Sequence, residues 1–119
     1  MNKINYTWRV FCVYMLILVL MLVCGTAFGQ VKVIHFNAEW NKINEVEWIK
    51  ELNYCEKDFI DIGQDKESQS KYKIAVVPTI IIFKDNEEVK RFQADLSFKM
   101  SANRKEVQEE IDNQLMSDF

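Results

Sequence analysis

The sequence predicts one α/β domain with a mixed central sheet, preceded by an apolar amino-terminal segment. Three observations predict it. Runs of β-branched and aromatic residues recur at 31–36, 59–62 and 76–83. Helically spaced segments separate them or follow them. Ahead of them all, residues 10–24 form fifteen uncharged positions in a row, after the basic Lys3 and Arg9.

The first segment reads as an export signal. A positive start, a short apolar run and the small residues Ala27 and Gly29 place a cleavage site before Gln30. The alternative is a permanent membrane anchor, since residues 10–29 are about long enough to cross a bilayer. Lipid modification at Cys24 is disfavoured by the bulky Val23 before it. Residues 1–29 are thus a signal peptide or an anchor, and residues 30–119 a single domain outside the cytoplasm, periplasmic or extracellular.

Within that domain, residues 31–36 (VKVIHF) are apolar on both faces and suit a buried strand. Asn44 with Glu47 three residues on predicts a capped helix start, and Val46, Ile49 and Leu52, with Trp48 alongside, predict about three helical turns. Residues 59–62 predict a second strand and residues 65–72 a short helix. Residues 76–83 carry the strongest strand signal. Asp85, Asn86 and Glu87 make a turn without glycine, and residues 89–94 return antiparallel. The chain closes on a helix over 103–116, with Asn103 as cap, Glu106 at its third position, and Val107, Ile111 and Leu115 as its apolar stripe.

Charge and cysteine usage exclude several functions. No acidic residue occurs before Glu39, so residues 30–119 hold all 18 acidic residues and 13 of the 15 basic ones, a balance of −5. An acidic domain without a basic run does not fit a nucleic-acid binder. Of three cysteines, Cys12 and Cys24 fall in the first segment, which excludes a multi-disulfide scaffold and a cysteine-rich metal site. One histidine supplies too few ligands for a metal, and no cofactor is expected. Glu39, Glu45 and Glu47 crowd the predicted helix start and disfavour an anion there. Glu106, Glu109, Glu110 and Asp112 read as the solvated face of the last helix.

Two stretches carry a family resemblance. Residues 33–40 (VIHFNAEW) resemble the V-D-F-W-A-E-W strand and loop of thioredoxins, which runs directly into C-G-P-C. Residues 71–84 (KYKIAVVPTIIIFK) resemble the K-Y-x-V-x-x-x-P-T-x-x-x-F-K stretch of the same family. The resemblance spans residues 30–119, without the first strand and helix of full-length thioredoxins. It implies a thioredoxin-like three-layer α/β/α fold and a cis peptide bond before Pro78, the only proline of the chain.

The resemblance also shows what is missing. Thioredoxins exchange disulfides through two cysteines, an activated thiolate and a resolving thiol. Here Asn41 and Asn44 stand at those positions. Asparagine has no thiol chemistry, so the reading is a redox-inactive thioredoxin-fold protein that binds a protein or an extended peptide. Trp40, Asn41, Asn44, Val77, Pro78 and Thr79 are its candidate binding residues. The alternative is a thiol–disulfide enzyme acting through the single Cys55 or beside a catalytic partner. A lone cysteine is otherwise an inert, partly buried side chain. His35 stands where thioredoxins carry a buried acid, and without cysteines it is expected to be a neutral core residue.

Overall fold

The computed structural model describes residues 2–25 and 30–117, with side chains from 5–20 and 30–117. The expected cleavage site at residues 26–29 lies outside the described residues. Helix α1 (Asn2–Gly25) comes first, and every described side chain in it is exposed. Among the described residues no helix is long and apolar enough to cross a membrane.

The domain is built on four strands: β1 (Val31–Asn37), β2 (Glu56–Asp61), β3 (Thr79–Lys84) and β4 (Glu87–Gln93). They lie in the order β2-β1-β3-β4, with β1 and β2 parallel and the other pairs antiparallel. The sheet is therefore mixed, as expected. Because side chains alternate along a strand, the apolar β1 feeds two cores. Val31 and Val33 pack with Ile80, Ile82, Val46, Ile49, Leu52, Val107 and Ile111 on one face. On the other, Ile34 and Phe36 pack with Ile62, Ile74, Val77, Ile81 and Phe83, flanked by Tyr72.

The segment after β1 corrects the expected helix. It forms two 3-10 segments, Glu39–Asn44 and Glu47–Glu51, separated by extended backbone at Glu45 and Val46. Val46, Ile49 and Leu52 recur every third residue, which aligns side chains on a helix with three residues per turn. Asn44 is not a cap: it ends the first 3-10 segment, and the second starts after Val46 with no side-chain cap. The second strand starts earlier than expected, at Glu56. Its charged first half lies at a solvated sheet edge, where apolar alternation is not required. Ile62 falls just past that strand, its N–H donating to the Asn37 carbonyl at 3.0 Å.

Short helix α2 (Lys66–Lys71) is capped by Asp65, whose carboxylate accepts from the Ser68 N–H at 3.0 Å. The Ser68 hydroxyl and N–H hold the Asp65 carboxyl below the usual range. The Val77–Pro78 bond is cis, and β3 begins directly after it at Thr79. Asp85 and Asn86 take φ of 52° and 69°, the left-handed pair that a two-residue hairpin turn needs without glycine. Helix α3 (Arg104–Met116) starts at Asn103, whose side-chain oxygen accepts from the Glu106 N–H at 2.8 Å. Replacing Asn103 by alanine is expected to cost about 1 kcal/mol in urea unfolding, because α3 buries Val107 and Ile111 and starts at that bond.

Candidate functional site

The candidate site lies where β1 ends. Asn37 closes the strand, Ala38 is extended, and the 3-10 segment carries Trp40 and Asn41. Asn41 interrupts helical geometry, with φ −110° and ψ 19°, and its side chain is only 3% exposed. That turn sends its amide inward, where a buried polar group must find partners.

It finds them on three separate segments. The Asn41 Nδ2 donates to the Asn37 Oδ1 at 3.2 Å, the Val77 carbonyl at 3.3 Å and the Phe98 carbonyl at 3.2 Å. Two hydrogens serve three acceptors, so one is shared. In return the Asn37 Nδ2 donates to the Asn41 carbonyl at 3.2 Å. The Asn44 Nδ2 donates to the Asn41 Oδ1 at 2.8 Å. The two asparagines that replace the cysteine pair are thus joined by a hydrogen bond. Asn41 also ties the end of β1 to the cis-proline loop and to the loop after β4.

That second loop, residues 94–100, is closed by a bridge between Ala94 and Met100. Its centre is Asp95, whose carboxylate accepts from the Ser97 N–H at 2.8 Å and the Lys99 N–H at 3.3 Å. Hydrogen bonds from Ser97, then Lys99, hold the Asp95 carboxyl below its usual value. Phe98, with φ 63°, presents its carbonyl to Asn41 and its ring to Trp40, edge-on at 5.1 Å between centroids.

Of the candidate binding residues, Asn41, Asn44 and Val77 meet directly. Val77, Pro78 and Thr79 are buried, and the Thr79 hydroxyl donates to the Val76 carbonyl at 2.6 Å. Trp40 is 67% exposed. Ile43 in the same 3-10 segment and Leu96 in the second loop are both almost fully exposed. Asn37, Ile43, Leu96 and Phe98 were not singled out from the sequence. Two apolar residues inside the polar run 95–99 were the available signal.

His35 lies deeper on β1, 3% exposed, with no hydrogen-bond partner for its Nε2 among the described residues and the Phe59 ring edge-on at 5.3 Å. Burial pushes its pKa down to about 4, so it is neutral at physiological pH. Cys55 is half-buried against the Val46, Ile49 and Leu52 cluster, where burial pushes its thiol up against the weaker opposing pull of Lys57. A raised thiol is the reverse of an activated nucleophile. Among the described residues no group of three or more histidine, cysteine or acidic side chains could hold a metal ion.

No family model and no curated protein matches the chain. Solved structures do. A mutant thioredoxin from Halobacterium salinarum is 22% identical, with 76% of this chain and 79% of that one covered and a TM-score of 0.60. Fasciola hepatica thioredoxin is 26% identical over 80% of this chain and 90% of its own, with a TM-score of 0.54. A poplar thioredoxin h is 19% identical over 73% and 78%, with a TM-score of 0.57.

Proposed function

Because the chain is thioredoxin-like in fold and carries asparagine at both cysteine positions of the motif, we propose that it is a thioredoxin-fold binding protein without dithiol chemistry. The observation that carries this reading is the Asn41–Asn44 hydrogen bond, set in a buried amide network at the position of the reactive pair. The network turns the Asn41 side chain inward and occupies the Val77 carbonyl. A partner is therefore met by the rim above, formed by Trp40, Ile43, Leu96 and Phe98. Exposed aromatic and aliphatic side chains carried on two loops that the Asn41–Phe98 bond and the Trp40–Phe98 ring contact hold together suit the apolar anchors of an extended peptide or protein segment.

Export is part of the same proposal. Residues 1–29 act as a signal peptide or as an anchor facing away from the cytoplasm, and the exposed apolar side chains described in α1 support a destination in a membrane or a translocation path. The half-buried Cys55 with its raised thiol gives no support to an exchange reaction.

Two measurements test the reading. The protein is expected to give no insulin reduction with dithiothreitol beyond the reagent blank, and Cys55→Ser is expected to leave that result unchanged. Turnover above the blank contradicts the proposal. In a screen of immobilised extended peptides, captured sequences are expected to lose about tenfold or more in affinity with Trp40→Ala, as for an anchor aromatic. Equal binding by the variant removes the rim as the contact surface.

A further inference from the structure

The sheet has an uncovered edge with an unusual composition. Among the described residues strand β2 pairs only with β1, in parallel, and no strand pairs with its other side. The Ile62 N–H points into the sheet, to the Asn37 carbonyl. Strand alternation therefore turns the N–H and C=O groups of Lys57, Phe59 and Asp61 outward. The Phe59 N–H agrees with this, being capped by the Asp58 carboxylate of its own strand at 2.9 Å. Phe59 is 49% exposed in the middle of this edge. Charged side chains beside it guard the edge against indiscriminate pairing.

We propose that this edge is a self-association surface, on which a second copy of the chain adds its own β2 antiparallel, with Phe59 on the two-fold axis. Charge selects both occupant and register. A two-fold axis perpendicular to the sheet keeps faces matched, so opposed residues belong to the same alternating set. Centring the pairing on Lys57 opposes two lysines, and centring it on Asp58 opposes two aspartates. Centring it on Phe59 opposes two phenylalanines and sets Lys57 of each copy against Asp61 of the other. Centring it on Ile60 sets Phe59 against Asp61 and gives up the charge pairs. The Phe59-centred register alone joins an aromatic pair with two reciprocal ion pairs, cross-strand combinations that favour pairing. The Asp61 carbonyl already accepts from Gln64 and Asp65. The central bonds are therefore the two exchanged by Phe59, flanked by those from the Asp61 N–H to the Lys57 carbonyl. Asp58 releases the Phe59 N–H as they form. The short strand makes a small interface, suited to reversible association.

Disulfide trapping reads this register. Opposed Cα atoms in a hydrogen-bonded antiparallel pair lie about 5.5 Å apart, within disulfide reach. The full chain, with Cys12, Cys24 and Cys55 replaced by serine, is oxidised in non-ionic detergent so that α1 does not drive contact. Phe59→Cys is expected to give at least about tenfold more covalent dimer than Glu87→Cys, on the exposed opposite edge. A mixture of Lys57→Cys and Asp61→Cys chains is expected to cross-link, and Lys57→Cys alone is not. Sedimentation of the chain without new cysteines is expected to show a concentration-dependent dimer that Lys57→Asp weakens about tenfold. Equal yields from Phe59→Cys and Glu87→Cys, ready self-linking of Lys57→Cys, or a monomer at every concentration overturns the proposal.

Discussion

Asn41→Ala is expected to lower the unfolding free energy by about 3 kcal/mol, seen as a fall in the urea midpoint with an unchanged slope. The side chain is 3% exposed and reaches three carbonyl-type acceptors on three segments. Removing it strands the buried Val77 carbonyl and Asn37 Oδ1 and the part-buried Phe98 carbonyl, at about 1–3 kcal/mol for each group that does not relax. Loop 94–100 can move to solvate its own carbonyl, which keeps the total below the sum of the separate terms. Asn44→Ala breaks one bond at a half-buried group and is expected to cost about 1 kcal/mol. Asn41→Asp conserves shape but turns a carboxylate oxygen toward three acceptors, and is expected to be worse than alanine. A loss below that of Asn44→Ala would show that the network contributes little to holding the loops.

Acidification supplies the second large effect. His35 titrates near 6.5 in the unfolded chain and near 4 in the folded one, because burial disfavours the imidazolium. Between those values the unfolded state binds the extra proton, so stability falls as pH drops from 6.5 toward 4 and levels off below. The full difference is about 3 kcal/mol. Asp65 and Asp95 are depressed below 3.8, so the stability they add is lost at more acidic pH than the His35 window. His35→Leu is expected to flatten this part of the curve. It is also expected to raise stability at pH 7 by about 1 kcal/mol, since the Nε2 that it removes has no partner among the described residues. An NMR titration placing His35 above 6.5 in the folded protein contradicts both expectations.

The strands were legible because their side chains are sorted by burial. Val31, Val33, Ile80, Ile81 and Ile82 are buried in β1 and β3 and are all β-branched. The 3-10 segments were misread as a helix because apolar spacings of three fit both geometries. Asn44 has the residue type and spacing of a cap, but it ends one 3-10 segment and the next starts after Val46. The start of β2 was hidden by its charges. At the site, the replacement of both cysteines was plain in the sequence, whereas the inward turn of Asn41 was not. The bond to Phe98 joins residues 57 positions apart, and nothing local at Asn41 announces a loop so far along the chain. Of the exposed residues Ile43, Leu96 and Phe98, the last two carry a local signal as apolar positions inside the polar run 95–99, whereas nothing local joins them to Trp40.

The amide link between Asn41 and Asn44 has no reduction potential. A dithiol at that place alternates between a covalent bridge and two thiols as its surroundings change from oxidising to reducing, and its affinity for a partner alternates with it. Two asparagines hold one arrangement at every electrochemical poise. The surface above them therefore keeps the same shape under oxidising and reducing conditions alike.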